Sequence, residues 1–312
     1  MVPRFPPVGF IPRSLLRLLN ENLCRIPRLL AAGSFIIFKF PLKFTFVIFG
    51  LFFVAGCGQF SVDVEKCLEN GSCVASLDVI KISNEIPLDP NAPLWHSPGG
   101  PNKITLELEP QMITNPKWPD PSIKEVTLSA VQNKSELAIL LEWEDSGKDD
   151  SYGHSERFTD QAAVMFPLEL QEEAPLITMG NEGRTVNIWQ WKAAWQNDLE
   201  PEKMNQFRER RNTAPLSSGE SGLRSDWQSP VEDLNAEGFS TLTIQEEQNV
   251  QGKGVWRNNR WRVIFRRSLR DSDTADAQFD GSTQMAIAVW DGANKERNGQ
   301  KGMAGWILLR FP

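Results

Sequence analysis

The run ELAILLEWE, residues Glu136–Glu144, is largely apolar and predicts a central β-strand. Further along the chain, RWRVIFRR at Arg260–Arg267 alternates Trp261, Val263 and Phe265 with arginines, which is the period-two pattern of a half-buried strand. Other short runs with strand character are Ile123–Gln132, Gln161–Phe166, Val186–Trp195, Gln284–Trp290 and Gly305–Leu309.

Turn residues (Pro, Gly and Asp) separate these runs, and no amphipathic helix of convincing length lies between them. That pattern predicts an all-β fold, either a sandwich or a barrel. We interpret residues 86–312 as a single β-sandwich domain. It carries two long polar insertions, Lys148–Phe158 and Asn197–Pro230, and the second is expected to hold a short surface helix at 201–212.

The overall composition excludes several classes of protein. The chain has 312 residues, 40% apolar and 23% charged, which is unlike a collagen, a coiled coil or a wholly disordered protein. Eleven Trp against one Tyr, with 22 Gly and 21 Pro, suit a turn-rich β protein. The net charge of −7 lacks the basic footprint of a nucleic-acid-binding protein.

The charge is unevenly distributed. Residues 1–43 carry seven Arg or Lys and one Glu, so the remainder carries −13 (−7 minus +6). Phe44–Gly56 (FTFVIFGLFFVAG) follows without a charge, and as a helix it would span only about 20 Å, too short to cross a bilayer comfortably. We therefore expect residues 1–56 to be a signal peptide. Residues 1–42 are long and interrupted by proline for the basic start of a signal peptide, and no methionine occurs between Met1 and Met112. We therefore expect the start assigned to this chain to lie upstream of the true one.

Val54-Ala55-Gly56-Cys57 resembles the lipobox of bacterial lipoproteins, which implies cleavage before Cys57 and diacylation of its thiol. The expected location is the periplasmic side of a bacterial membrane, with residues 57–85 as a lipid-anchored tether. An ordinary signal peptide with a chance cysteine, or a short anchor, remains an alternative.

Cys67 and Cys73 lie six residues apart in a polar stretch, KCLENGSC. Outside the cytoplasm this spacing permits a small disulfide loop, and two free thiols are the alternative. No Cys-x-x-Cys-His haem-attachment sequence is present, and a zinc site is not expected because His96 and His154 are the only histidines.

Catalytic signatures are missing from the sequence. No phosphate-binding loop, dinucleotide-binding glycine pattern, His-Glu-x-x-His or Gly-x-Ser-x-Gly occurs, and two histidines leave few general bases. The acidic turn Asp271–Asp276 lacks the glycine of a calcium loop and is interpreted as solvated, as are Asp145, Asp149 and Asp150.

Tryptophans crowd the C-terminal half. They belong either to the core or to a pocket for a large flat ligand, such as a sugar or a planar cofactor. Composition and period alone favour the core. The residues concerned are Trp189, Trp191, Trp195, Trp256, Trp261, Trp290 and Trp306.

A set of separated motifs carries a family resemblance. In chain order they are Pro110-Gln111 followed by Pro116, LLEWED at Leu140–Asp145, RFTDQAAVMFP at Arg157–Pro167, ITMGNEGRTVNIWQWKAAW at Ile177–Trp195, AEGFSTLT at Ala236–Thr243, RWRVIFRRSL at Arg260–Leu269 and AIAVWDGANKERNGQKGMAGW at Ala286–Trp306. Together they resemble the haem-binding gamma subunits of type II dimethyl sulfoxide reductase family complexes. That group includes ethylbenzene, dimethyl sulfide, selenate, chlorate and nitrite-oxidising enzymes.

The resemblance implies a β-sandwich that holds one non-covalent haem b between an axial Met and an axial Lys. Carried over by motif, these ligands are Met179 of the Thr-Met-Gly turn and Lys301 of the Gly-Gln-Lys turn. Arg184 and Arg260 are candidates to bind the haem propionates. The family has serines after its lysine turn, where this chain has Gly302, Ala304 and Gly305, so any hydroxyl hydrogen bond there is lost.

The implied role is a non-catalytic electron-transfer subunit. Its partners would be an iron–sulfur beta subunit, a molybdopterin alpha subunit, and an external cytochrome or quinone-linked redox partner. Two other functions stay open from the residues alone. One is a carbohydrate-binding β-sandwich lipoprotein that stacks sugars on tryptophan, and the other is a structural lipoprotein whose tryptophans are all core.

Overall fold

The computed structural model describes residues 66–151, 158–171, 173–200 and 228–312. The expected signal peptide, Cys57 and the helix expected at 201–212 lie outside these residues. Within them, the helices are α1 (Lys66–Glu69), α2 (Pro93–His96) and α3 (Ala193–Leu199). The strands are β1 (Ala75–Asp78), β2 (Ile80–Lys81), β3 (Ile104–Glu107), β4 (Glu109–Pro110), β5 (Glu125–Gln132), β6 (Glu136–Glu144), β7 (Gln161–Pro167), β8 (Val186–Lys192), β9 (Val231–Ala236), β10 (Thr243–Ile244), β11 (Gln251–Trp256), β12 (Arg260–Ser268), β13 (Thr283–Trp290) and β14 (Gly302–Arg310).

Two sheets form a sandwich, as the sequence predicts. One has eight strands in the order β1-β14-β13-β7-β8-β9-β10, with β4 added beside β14. The other has six in the order β11-β12-β6-β5-β2, with β3 added beside β5. Neighbours run antiparallel except for β1 with β14 and β2 with β5, which are parallel.

The main core lies between the two sheets. Alternate residues of β6 and β12 point into it, among them Leu141, Trp143 and Val263, and they meet Val164 of β7 and Trp189 of β8. The intervening residues of β6 are also buried, because α2 and the segment before it cover the outer face of that sheet with Ile86 and Trp95. Burial on both faces explains why ELAILLEWE is almost continuously apolar.

The tryptophan-rich strand is shorter than its pattern predicts. The ladder between β7 and β8 ends at the Gln161–Lys192 pair, and α3 begins at Ala193. Thr159 Oγ1 accepts a hydrogen bond from the backbone NH of Ala194 at the start of that helix. Trp195 is therefore a buried helical residue, and the expectation of an extended chain to residue 195 is wrong there.

The strands begin earlier than residue 86. β1 pairs with β14 from Ala75 to Asp78, within the stretch interpreted as a tether. Cys67 and Cys73 form a disulfide, one of the two outcomes that their spacing left open, and both are buried against the eight-stranded sheet. The edge of β14 has free backbone groups, and adding β1 satisfies them.

Three of the six acidic residues that were interpreted as solvated, Asp145, Asp149 and Asp276, are buried. Asp276 pairs with the equally buried Arg267 at 2.9 Å, because a guanidinium in a core needs a counter-charge. Asp145 and Asp149 are only 4% and 8% exposed. Burial raises the pKa of Asp145 to about 6, with Asp291 and Asp149 adding to the effect, and burial together with Asp145 raises that of Asp160 to about 8.

None of the helices among the described residues has the length and apolar character needed to cross a bilayer.

Candidate functional site

A cavity of about 310 Å³ opens on the outer face of the eight-stranded sheet. Residues that point away from the main core form its floor: Ala163 of β7, Ile188 and Gln190 of β8, and Ala286 and Ala288 of β13. Three of the five are alanine, whose short side chain leaves space above the strands. The outer face of the sheet is therefore apolar but not filled.

The first wall is the loop between β7 and β8, which carries Met179. This residue has a left-handed φ of 71°, and Gly180 after it has a φ of 82°. A Cβ at position 180 would lie 2.6 Å from the Arg184 carbonyl oxygen, so only glycine fits. The Met179 carbonyl accepts a hydrogen bond from the Gly238 NH at 2.8 Å, which ties the turn to the neighbouring loop. The Thr-Met-Gly sequence thus holds the thioether in the cavity wall.

The opposite wall is the loop 291–301 between β13 and β14, which ends at Lys301. The fully buried Glu296 carboxylate organises it. It accepts hydrogen bonds from Trp118 Nε1, the Ser122 NH and the Asp291 NH at 2.9–3.0 Å. These bonds join the loop to the segment before β5 and fix its position.

The Lys301 amine reaches into the cavity. Its Nζ lies 4.8 Å from the centroid of the Trp290 ring. Within the described part of the chain it has neither a hydrogen-bond partner nor a carboxylate partner. The residue as a whole is half-buried, yet its amine is surrounded by protein, and this burial lowers the pKa of Lys301 to about 8. A large fraction of the amine is therefore neutral at mildly alkaline pH.

Gln111 also supports the site, although the sequence analysis assigned it no role. Its buried amide donates to the Gly299 carbonyl at 3.0 Å and to the Thr114 carbonyl at 3.1 Å, and its Oε1 accepts from the Thr114 NH at 2.7 Å. It thus joins the segment before β5 to the turn that precedes Lys301. Pro110-Gln111 is one of the motifs that carry the family resemblance, but the motif alone did not show that the Gln111 side chain holds the Lys301 loop.

The mouth of the cavity is apolar. Phe239 and Leu242, on the connection between β9 and β10, are 49% and 50% exposed and line it. Phe239 lies inside AEGFSTLT, another motif from the resemblance. The floor alanines also lie inside motifs from the resemblance, but their role could not be predicted, because in sequence an alanine that faces a cavity looks the same as one packed in a core.

The residues singled out from the sequence separate into two groups. Met179 and Lys301 line the same cavity. Arg184 does not line it, because its guanidinium is used within its own loop, donating to the carbonyls of Glu173 and Ala174. Arg260 lies on β12 of the other sheet and pairs with Glu144 at 2.7 Å, so it is wrong as a propionate ligand.

The tryptophans belong mainly to the core. Trp143, Trp189, Trp191 and Trp261 are fully buried, and no described tryptophan is exposed. Trp290 is the tryptophan that lines the cavity, and its Nε1 donates to the Asn298 carbonyl of the Lys301 loop at 3.0 Å. The described surface therefore offers no exposed tryptophan platform for stacking a sugar.

The donor set suits a flat, apolar metal cofactor. A thioether and an amine of lowered pKa are both neutral donors for a transition metal, and they occupy separate loops around one apolar space. Among the described residues that line this cavity, none carries a carboxylate. A flat cofactor with a metal at its centre would find two candidate ligands and a mainly apolar surface here.

Comparison with known proteins adds independent information. The model of the family described as ethylbenzene dehydrogenase matches residues 92–302. A protein described as a respiratory nitrate reductase heme subunit, from Haloferax mediterranei, is 24% identical over 232 residues, covering 74% of this chain and 70% of that protein. Chlorate reductase subunit gamma of Ideonella dechloratans is 27% identical over 191 residues, covering 60% of this chain and 65% of its own length.

A solved structure of a family 9 carbohydrate-binding module from Caldicellulosiruptor kristjanssonii, in complex with glucose, has a TM-score of 0.35 and 10% identity to this chain. The likeness covers 76% of this chain and 96% of the module. At that score it carries no argument about function.

Proposed function

The chain belongs to the ethylbenzene dehydrogenase family, and from that membership we propose that it is a haem-binding electron-transfer subunit of a reductase complex. Two similar proteins support this role, since one is named as a heme subunit and the other as a gamma subunit of a reductase. The chain itself performs no substrate chemistry in this proposal. Its sequence carries none of the common catalytic signatures, in agreement with that role.

The cofactor in this proposal is one haem b, which the Met179 thioether and the Lys301 amine would hold through its iron. The observation that carries it is that these two side chains, on loops far apart in sequence, line one apolar cavity. When bound, haem supplies one-electron exchange between its ferrous and ferric states. As a ligand, the Met179 thioether would favour ferrous iron and so raise the reduction potential.

The protein's own residues prepare the site. Burial lowers the pKa of Lys301 to about 8, so the neutral amine needed for coordination is accessible near physiological pH. The alanine floor and the apolar mouth give a flat cofactor an apolar surface to pack against. Glu296 and Gln111 hold the lysine loop in place before any ligand arrives.

The partners we propose are a molybdopterin alpha subunit, an iron–sulfur beta subunit that exchanges electrons with this chain, and an external cytochrome or quinone-linked carrier. Export to the periplasmic side of a bacterial membrane, with a lipid anchor at Cys57, completes the proposal. It is supported by the basic start, the apolar run and the Val54–Cys57 motif.

Spectroscopy of the reconstituted full chain tests the ligands. The wild type should take up haem and show the Soret band of a low-spin, six-coordinate iron. Met179→Leu and Lys301→Ala should each remove one ligand, shift the band and lower haem affinity by at least about tenfold.

Met303→Leu is the matched control, because Met303 lines the same cavity but lies on β14, and it should keep the wild-type spectrum. A folded wild type that takes up no haem would refute the proposed function. Unchanged spectra in both ligand variants would refute the ligand assignment.

A further inference from the structure

Three aspartates meet at one end of the sandwich, where the two sheets approach each other. Asp145 follows β6 of the six-stranded sheet. Asp160 precedes β7 and Asp291 follows β13, which are neighbours in the eight-stranded sheet. One carboxylate oxygen from each of the three lies within 4.8 Å of an oxygen from each of the others.

These carboxylates are buried and have no counter-charge. Their residues are 4%, 0% and 9% exposed, respectively. No Lys, Arg or His of the described chain forms an ion pair with any of them. Hydrogen bonds orient two of them, since Asp160 accepts from the Gly292 NH and Trp261 Nε1, and Asp291 accepts from Ser122 Oγ. Like charges buried at this spacing repel strongly, so the cluster must hold either protons or a cation.

The third carboxylate is left incomplete. Asp145 Oδ1 accepts a hydrogen bond from the Gly147 NH at 2.9 Å. Its Oδ2 is fully buried and accepts no hydrogen bond of normal geometry from the described residues. An ionised oxygen buried without any partner is costly, so the remaining bonding capacity of Asp145 points to a ligand.

We propose that Asp145, Asp160 and Asp291 bind one Ca²⁺ ion. The donors are all oxygen, which hard cations prefer, and no Cys or His belongs to the cluster. Ca²⁺–oxygen distances of about 2.3–2.6 Å place ligands on opposite sides of the ion about 5 Å apart, in line with the observed spacing. The ion would join β6 to the ends of β7 and β13, tying one sheet to the other. This site is separate from the haem proposal, because none of the three aspartates lines the cavity.

Metal binding to the full chain gives the first test. After chelator treatment, the wild type is titrated with CaCl₂ by calorimetry and with Tb³⁺ by luminescence. Trp261 donates to Asp160 at 2.9 Å, so its indole should sensitise a Tb³⁺ ion at this site. We expect one Ca²⁺ per chain, competition between Ca²⁺ and Tb³⁺, and a rise in Tm of about 5–10 °C at a Ca²⁺ concentration a hundred times the Kd.

Substitution gives the second test. Asp145→Asn should lose most of the Ca²⁺-dependent rise in Tm, while in chelator it should unfold no earlier than the wild type, because one repelling charge has been removed. Asp120→Asn, at an exposed aspartate paired with Lys124, should keep the full Ca²⁺ response.

Three results would overturn the proposal. They are a wild type with neither a Ca²⁺-dependent Tm nor sensitised Tb³⁺ luminescence, a response to Mg²⁺ but not to Ca²⁺, and an Asp145→Asn variant that keeps the wild-type response. If Asp145→Asn does not fold, the wild-type titrations decide the question alone.

Discussion

Lys301 illustrates how a single side chain can be prepared for a role by its surroundings. A lysine in water has a pKa near 10.4 and is a poor metal ligand at neutral pH, because its lone pair is protonated. Against the Trp290 ring and away from any carboxylate, burial lowers the pKa of the Lys301 amine to about 8. Coordination by this residue therefore requires the release of a proton only below that pH.

The pH dependence of haem uptake follows from this shift. Below about pH 8 the amine is protonated and must lose its proton before it can bind iron, so haem affinity should rise about tenfold per pH unit. Above that pH the affinity should level off. Haem titration at several pH values from 6 to 9 measures it, with Lys301→Ala as the variant expected to lack the dependence. Equal wild-type affinity at pH 6 and pH 8 would contradict it.

Gly180 is a second residue whose identity is constrained by its surroundings, since neither its backbone conformation nor the space around it suits a side chain. Gly180→Ala places a Cβ 2.6 Å from the Arg184 carbonyl oxygen at a φ of 82°. We expect a loss in the free energy of unfolding of about 2 kcal/mol or more, and weaker haem uptake, because the Met179 turn must distort.

Gly183→Ala serves as the control for Gly180→Ala. It has a φ of 72° but nothing within 4 Å of its Cβ, so it should cost only the backbone strain of about 1 kcal/mol. Denaturant unfolding of both variants compares them. Equal losses would show that crowding by the Arg184 carbonyl contributes nothing.

At the scale of the elements, the cavity depends on which face of each strand carries small residues. β7 and β13 are neighbours, with Ala163 paired opposite Ala288. Val164 and Val289, which alternate with these alanines, fill the main core on the other face of the same strands. The valines fill the core on the inner face of these strands, and the alanines leave the cavity space on the outer face.

Filling the floor should separate haem binding from stability. Ala288→Leu adds apolar atoms to an existing space, so the fold should remain at least as stable as the wild type while haem affinity falls by at least about tenfold. Thr105→Leu, at an exposed position of β3 in the other sheet, adds a leucine away from the cavity and should leave haem affinity unchanged. Haem titration and denaturant unfolding give the two readouts. Undiminished haem affinity in Ala288→Leu would exclude this cavity as the binding site.

At the scale of the whole molecule, the N-terminal part of the described chain is built into the sandwich. The disulfide between Cys67 and Cys73 lies just before β1, and both sulfurs pack with the outer apolar cluster of the eight-stranded sheet. β1 then extends the sheet beyond β14 through four residue pairs, from Ala75 with Ile307 to Asp78 with Arg310. The disulfide closes a short loop directly before this edge strand.

Reduction of that disulfide should destabilise the fold. For so short a loop, chain entropy predicts a loss in the free energy of unfolding of about 2 kcal/mol. Denaturant unfolding with and without dithiothreitol measures it. The double variant Cys67→Ala/Cys73→Ala should be as unstable as the reduced wild type and insensitive to the reductant. A wild type equally stable in both conditions would mean that this bond contributes nothing to the fold.

Much of the architecture was predictable because strand pattern is local. The alternation of Trp261, Val263 and Phe265 and the apolar run at Glu136–Glu144 each predict a strand without knowledge of any partner. The end of β8 was not predictable in the same way. Trp195 continues the alternating pattern, but the ladder ends at Lys192 because of contacts with residues far away in sequence. Burial of Asp145 was missed for the same reason.

The sequence by itself determined the all-β class, the central strands, the family and the two candidate ligands, since each depends on neighbouring residues or on motifs that are continuous in the chain. Only the tertiary structure decided that Met179 and Lys301 line one cavity and that three aspartates from separate strand ends converge. The physical reason is that strand order is set by long-range pairing. Which loops meet depends on β7 lying between β8 and β13, and no local pattern of residues specifies that neighbourhood.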